Sequence, residues 1–343
     1  MIISNRENYF IEEYEELEKY DMHMHYNISN SFFLKASIAE NFKLLSINVD
    51  VGDAFPSLEN QRDMVIGLMN DIPETLFFST SFSMQGHRKS GWTDRVIDYI
   101  RDSKEKGAVA VKVWKNIGMD CRDEKGRFMM IDDPLFDPIM ECIIQLDLPL
   151  IGHIGEPKNC WLPLEEMTVS GDYEYFKAHP EFHMHLHPEF PTYEELIASR
   201  DRLLEKFPSL RFIGAHLGSM EWSVDEIAKR LDKYPHMAVD LAERISHLQL
   251  QAARDWKKVR DFICKYQDRI IYGTDMVIEQ DLGENKMLEK AREIRSRHWK
   301  FFVSDEKMSS PKIDMPFQGL QLPKGVVNKI YWDNAKRWYP DIR

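Results

Sequence analysis

An α/β fold, a (β/α)8 TIM barrel with long loops after its fifth and eighth strands, is what this sequence predicts, on three observations. Eight short apolar runs, 21–26, 44–49, 76–79, 108–114, 149–154, 211–216, 237–241 and 270–274, are rich in Val, Ile, Phe or Leu and end in Gly or polar residues, as strands do. Segments with helix-start chemistry separate them, and eight strands alternating with helices close a parallel barrel. At 343 residues, 43% hydrophobic and 30% charged, the chain could hold two average domains or one large barrel. An open doubly wound sheet is the other architecture, but no Gly-x-Gly-x-x-Gly follows an early strand. Without internal repeats or a low-complexity linker, residues 1–343 read as a single domain, with 1–19 an N-terminal cap and 156–191 and 281–323 loop insertions.

The chain opens with an acidic leader carrying Glu7, Glu12, Glu13, Glu15, Glu16 and Glu18, the opposite of a basic, apolar secretory signal. It reads as a helix or an extended cap. In the first strand, alternation puts His23 and His25 on one face and Met22 and Met24 on the other. Helices are expected at 57–70, opened by Ser57, and at 93–106, opened by the pair Thr93-Asp94. Another at 134–146 carries Pro134 in its first turn. Those at 192–206 and 223–233 open with the capping-box patterns Thr192…Glu195 and Ser223…Glu226. The two long segments, 156–191 and 281–323, would sit at the C-terminal mouth of the barrel, where binding residues are recruited.

A formal net charge of −12 argues against nucleic acid or anionic lipid as partner, and no apolar run approaches the ~20 residues that cross a bilayer. Cys121, Cys142, Cys160 and Cys264 are widely spaced and read as free thiols, which places the protein in the cytoplasm. Nucleophile-elbow, phosphate-loop and His-Glu-x-x-His patterns are missing, so serine hydrolase, nucleotide triphosphatase and zincin chemistries lack their parts.

What remains is a set of polar residues at strand ends. His23 and His25 end the first strand, Lys112 lies in the fourth, and His153, His216 and Asp275 close the fifth, sixth and eighth. Ionisable groups there are costly to bury unless they are paired or ligating, and in a parallel barrel all these ends face one mouth. Two imidazoles from one strand make half of a divalent-metal site, and nitrogen ligands suit zinc first and manganese second. The plain alternative is that these residues only hydrogen-bond strand termini and loops.

With Asp-Met-His-Met-His at 21–25, Val-Lys-Val-Trp at 111–114, Asp-Asp-Pro-Leu-Phe-Asp-Pro at 132–138, Leu-Pro-Leu-Ile-Gly-His-Ile-Gly-Glu at 148–156, Gly-Ala-His-Leu-Gly at 214–218, Arg-Ile-Ile-Tyr-Gly-Thr-Asp at 269–275 and Lys-Ile-Tyr-Trp-Asp-Asn-Ala at 329–335, the chain resembles the amidohydrolase superfamily. Within it, the likeness is to the metal-dependent hydrolase branch that includes aminocarboxymuconate-semialdehyde decarboxylase-like proteins. The resemblance implies that His23, His25, His153 and Asp275 bind one divalent metal. It implies that Asp275 contacts the activated water and that His216 lies beside that water or the substrate's reacting group. In binuclear members a strand-four lysine is carbamylated. This branch usually holds one metal, so Lys112 is read as a structural or substrate-facing cation.

The expected activity is hydrolysis of an ester, lactone or amide bond of a small molecule by metal-activated water, with Asp275 as base and His216 as oxyanion stabiliser or acid. The alternative is non-oxidative decarboxylation of an aromatic or unsaturated carboxylic acid. A barrel that keeps the metal but serves as a structural or interaction protein is a third reading. Among His179, His183, His185 and His187, only His187 is singled out for substrate contact, held by the Pro188 turn. Glu156 and Glu221 could order a ligand or cap an element, and Arg297 with His298 could take a substrate carboxylate. One or two of Trp114, Trp161, Trp222 and Trp299 could wall a pocket. Homodimers are common among barrels of this kind, and no stretch marks an interface.

Overall fold

The structure, a computed structural model, describes residues 7–279 and 283–342. The first six residues of the expected cap and positions 281 and 282 of the second expected insertion lie outside the described residues. Strands β1 (Lys19–Tyr26), β2 (Phe42–Ile47), β3 (Leu76–Ser81), β4 (Ala108–Val113), β5 (Leu150–Gly152), β6 (Phe212–Gly214), β7 (Met237–Asp240), β8 (Ile270–Ile271) and β9 (Met276–Ile278) form one sheet. Its order is β8-β7-β6-β5-β4-β3-β2-β1-β9, and every neighbouring pair is parallel.

Nine strands stand where eight were expected: β8 is the start of the expected run 270–274, and β9 lies beyond its end. β8 pairs with β7; the chain then lies along β1, where Tyr272 O accepts from Met22 N (3.0 Å) and His23 O accepts from Asp275 N (2.7 Å). β9 continues that pairing with β1. The two ends of the strand order are thus consecutive pieces of chain, and the sheet curls round to meet itself. Inside the curl, Met22, Ile47, Ala110, Ile151, Ile213 and Ile271 form one apolar cluster, closed by Trp338 and Tyr339. A larger cluster fills the space between the strands and the helices. Both faces are covered, so the strands are almost wholly buried, as parallel strands are.

β1 departs from simple alternation. Asp21 opposes Leu44 and Met24 opposes Ser46, so β1 carries one residue more than β2 between these pairs. Such a bulge shifts the pleat by one and re-aims the later side chains of the strand. Before it, Lys19 and Asp21 reach outward: the Lys19 ammonium donates to Leu17 O (2.6 Å), and the Asp21 carboxylate meets Arg295 at 3.4 Å. After it, His23 and His25 face into the curl. The expected common face for Met22 and Met24 is therefore wrong: Met22 packs in the inner cluster and Met24 in the outer one.

Helix Leu58–Asp71 is capped by Ser57 and helix Tyr193–Lys206 by the full Thr192–Glu195 box. Elsewhere the caps differ from expectation. Helix Trp92–Glu105 starts from Gly91 at φ +73, not from the Thr93-Asp94 pair, because Trp92 already packs into the core beside Phe82 and Phe136. Ser223 caps helix Val224–Lys233, but Glu226 does not return the bond, being drawn to Lys229 and Arg230. Pro134 begins a single 3-10 turn, Pro134–Phe136, ahead of helix Asp137–Gln145. Part of the leader is a 3-10 turn, Ile11–Glu15. The segment after β5 contains helix Ser170–Ala178, and the one after β9 holds a 20-residue helix, Glu284–Val303, followed by the hairpin Lys307–Ser310 and Ile313–Gln318.

Candidate metal centre

The C-terminal ends of β1, β4, β5, β6 and β7 and the segment before β9 bring His23, His25, Lys112, His153, His216, Asp240 and Asp275 to one place. His23 Nε2 and His25 Nε2 each lie 3.3 Å from the same oxygen, Oδ1 of Asp275. His216 Nδ1 is 3.9 Å from Asp275 Oδ2, and Lys112 Nζ is 3.4 Å from His23 Nε2. The rings of His153 and His216 stand 4.3 Å apart.

Tautomers are set by the partners of the outer nitrogens. His25 Nδ1 donates to the carbonyl of Ile47 (2.7 Å), which can only accept, so Nε2 carries the lone pair. His23 Nδ1 donates to Asp240 Oδ2 (2.7 Å), a buried carboxylate; burial pushes Asp240 up, but the His23 contact holds its pKa below the ordinary value. His216 Nδ1 donates to Ala242 O (3.0 Å), and burial lowers this imidazole to about 3, so the ring is neutral with its lone pair on Nε2. His153 is also held neutral by burial, and its Nε2 is buried without any hydrogen-bond partner. Burial pushes Asp275 up, yet His216, His23 and His25 together hold it well below the carboxylate range, and its side chain keeps 25% exposure, facing the cavity.

The Nε2 atoms of His23 and His25 therefore converge on one carboxylate oxygen, with an orphaned imidazole nitrogen of His153 in the same cavity wall. Acceptors facing acceptors repel unless something positive lies between them, and neutral imidazoles with one carboxylate are a donor set for a first-row divalent ion. The residues fit such an ion. Among the described residues, the groups whose ligand atoms all lie within 4.8 Å of one another are His23–His25–Asp275 and His23–His216–Asp240. His153 belongs to neither; it stands in the same cavity wall. Bonds from Ile47, Asp240 and Ala242 fix the rings from behind, as supporting partners of metal-binding histidines do.

Backbone strain concentrates here as well. Asp275 has φ +63, and the turn after β6 runs through His216, Leu217, Gly218 and Ser219 at φ +59, +58, +65 and +55. The non-glycine residues in this left-handed run cost roughly 1 kcal/mol or more each. Buried groups hold the turn: Arg200 donates to Gly218 O (2.6 Å), Tyr193 to Ser219 O (2.5 Å), and the Ser219 hydroxyl to Gly155 O (2.8 Å), while Asp240 Oδ1 accepts from His216 N (2.8 Å).

A cavity of about 910 Å³ opens over the site, with Phe55, Trp114, Met119, Phe182 and Phe190 in its walls. A second one, of about 380 Å³, adjoins it through His153, His216 and Asp275. Glu156 lines both and is ion-paired with Lys115. Other residues singled out from the sequence lie elsewhere. His187 bonds within its own loop, 3.0 Å from Pro180 O and 3.6 Å from Glu189. Arg297 is tied to Glu293 (2.5 Å) on its helix and lines a separate small cavity. His298 lies behind the sheet against the Tyr272 hydroxyl (3.2 Å). Glu221 is buried, accepting from Lys158 N (2.8 Å). Trp161, Trp222 and Trp299 pack rather than line the large cavity, leaving Trp114 in its wall. Asp240 is the residue that sequence reasoning missed, although it stands in the expected seventh strand, 237–241, as a carboxylate among apolar neighbours.

No curated protein is significantly similar to the chain in sequence. Among solved structures, 2,6-dihydroxybenzoate decarboxylase from Rhizobium superposes with a TM-score of 0.52 at 16% identity, covering 94% of this chain and 98% of that one. The structure of a 2,6-dihydroxybenzoate decarboxylase complexed with 2,6-dihydroxybenzoate gives 0.53 at 15%, covering 94% and 99%. A 4-oxalomesaconate hydratase from Rhodopseudomonas palustris gives 0.50 at 15%, covering 94% and 96%. At such identities these likenesses establish a shared fold. The amidohydrolase family model matches residues 90–340, well over half of the chain, and the chain therefore belongs to the amidohydrolase family.

Proposed function

We propose that this protein is a single-domain (β/α)8-barrel enzyme that hydrolyses an ester, lactone or amide bond of a small molecule at one divalent metal ion, zinc first and manganese second. The observation that carries the reading is the pair of imidazole nitrogens, His23 Nε2 and His25 Nε2, converging on one oxygen of Asp275 at 3.3 Å each. With His153 they are the residues that would hold the ion. When bound, such an ion polarises a carbonyl oxygen and lowers the pKa of water from 15.7 towards roughly 7.

The chain's own groups do the rest. Asp275 is ionised and faces the cavity, so it is the base that takes the proton from an attacking water. Lys112, buried in the cavity wall, presents an ammonium to an oxygen that gains charge. His216 changes role from the sequence expectation: with Nδ1–H committed to Ala242 it has no proton to give towards the cavity, and acts as an acceptor or a further ligand. The apolar walls exclude water from the reacting bond and keep these interactions strong.

The second reading, decarboxylation of an aromatic or unsaturated acid, is favoured by the aromatic walls of the larger cavity and by the fold shared with the 2,6-dihydroxybenzoate decarboxylases. Zinc- or manganese-loaded protein, incubated with a panel of lactones, esters, amides and aromatic acids, separates the two. New acid without CO₂ supports hydrolysis, and CO₂ release without hydrolysis replaces it with the second reading. Asp275→Asn should lower kcat by at least about 10³-fold in either case; full turnover in that variant refutes the base. Elemental analysis of the purified protein should return one ion per chain. Two ions would make Lys112 a carbamylated bridging ligand, a state open to it because no carboxylate among the described residues pairs with its ammonium.

A further inference from the structure

We propose that Arg244 is the seat for a carboxylate of the substrate, so that the molecule acted on carries a carboxylate remote from the bond that reacts. This deepens the functional reading above and rests on it. The cavity of about 380 Å³ begins at His153, His216 and Asp275 and reaches Arg244 along its wall. The chain enters this position through Glu243 at φ +57, three residues beyond the end of β7.

What sets Arg244 apart is how little the protein asks of it. Other inward-reaching arginines are each tied to at least two partners. Arg200 donates to Gly218 O and Asp201 (both 2.6 Å), Arg269 to Tyr234 O (2.5 Å) and Leu231 O (3.3 Å), and Arg295 to Ser37 (3.1 Å) and Asp21 (3.4 Å). Arg244 makes one long bond, Nη1 to the carbonyl of Glu243 at 3.4 Å, and pairs with no carboxylate among the described residues. A guanidinium has five N–H donors in a planar fork, and those of Arg244 border the cavity largely free to meet a ligand. Most of the surrounding charges already have partners. Lys115 pairs with Glu156, Lys312 with Glu243, and Asp172 takes the Asn159 amide (2.8 Å) and faces His247 (3.3 Å). Arg244 stays charged, since Asp172, Glu221 and Glu243 hold its pKa up against burial.

The fork matches a carboxylate in two parallel bonds. The same acidic neighbours make a doubly charged phosphate the poorer guest, which is why the assignment is to a carboxylate. The substrate then spans the junction, with its scissile group beside Asp275 and its anionic end at Arg244. Arg297, the arginine to which the sequence would give this role, is held by Glu293 instead.

The test uses benzoate, benzamide and inorganic phosphate as probes, with affinities measured calorimetrically on metal-stripped and metal-loaded protein. Wild type should bind benzoate at least tenfold more tightly than benzamide in both forms, a ratio that needs no variant. Arg244→Ala and Arg244→Gln should each lose at least tenfold in benzoate affinity and keep that for benzamide; Arg244→Gln preserves length and serves where the alanine variant does not fold. Equal benzoate affinity in wild type and variants, no benzoate binding to wild type, or tighter Arg244-dependent binding of phosphate than of benzoate overturns the proposal. His25→Ala separates this from the functional reading. It should abolish turnover while the Arg244-dependent benzoate signal persists in the stripped form, so a protein that binds benzoate through Arg244 but turns over nothing in the panel defeats the activity alone.

Discussion

Asp240 shows how a single buried carboxylate can organise a site without touching substrate. One oxygen takes His23 Nδ1 and the other takes the backbone of His216 and Ala242 (2.8 and 3.2 Å), so it fixes a tautomer on one strand and a left-handed turn on another. Replacing it by Asn should weaken metal binding about 10- to 100-fold, the usual cost of losing such a supporting partner. Competition against a chromophoric chelator measures this, and unchanged affinity would deny Asp240 its role. The residue was within reach of the sequence: the same rule that picked His153 and Asp275 near strand ends applies to Asp240, one residue short of the end of 237–241. Arg244 was not, because it lies in a turn whose direction depends on the positive φ of Glu243, and nothing in the residue order announces which arginines will be left without partners. Arg297 drew notice as part of a dense charged and aromatic run, but a 20-residue helix turns most of its charges to solvent or to each other.

At the scale of elements, eight apolar runs and their polar ends were legible because fully covered parallel strands have few alternatives. The parity of β1 was not, since an inserted residue in a strand leaves no mark on composition. Its pairing with the last strand is tight enough to be tested. A Cβ on Gly273 would lie 2.7 Å from His23 Cβ and 3.2 Å from His23 N, neither of which is the free end of a flexible chain. Gly273→Ala should therefore cost about 1–3 kcal/mol in urea denaturation and also weaken metal binding, because the only relief is to move β1. Behind the same segment, Asp21 takes the amide and hydroxyl of Thr274 (2.9 and 2.8 Å) and faces Arg295, all without exposure to solvent. Asp21→Ala leaves Arg295 with less of its compensation and should destabilise by about 3 kcal/mol. A loss below about 1 kcal/mol would mean that Glu40, 3.7 Å from Arg295, suffices alone.

For the molecule as a whole, buried histidines set the acid limit of stability. Burial holds His298 at about 3, against an ordinary 6.5, with Arg297 and Lys312 adding to the depression; His25, His153 and His216 shift the same way. Below pH 6.5 the unfolded chain takes up protons that the folded chain refuses, so stability should fall as pH falls from about 6.5 towards 3. His298→Gln should flatten the slope of Tm against pH in that window, and an unaltered slope would show that His298 does not contribute. Among the described residues no helix is long and apolar enough to cross a membrane. The meeting of the first strand with the last has a consequence in time as well as space. His23 and Asp275 stand more than 250 residues apart in sequence, and contacts of that span form late because the intervening chain must first be ordered. A ribosome-bound or refolding chain should therefore acquire its helices before it can capture an ion. In stopped-flow refolding with a cobalt reporter, the visible absorbance should lag the far-ultraviolet signal; simultaneous appearance would mean that the clasp forms first and the rest of the polypeptide assembles around it.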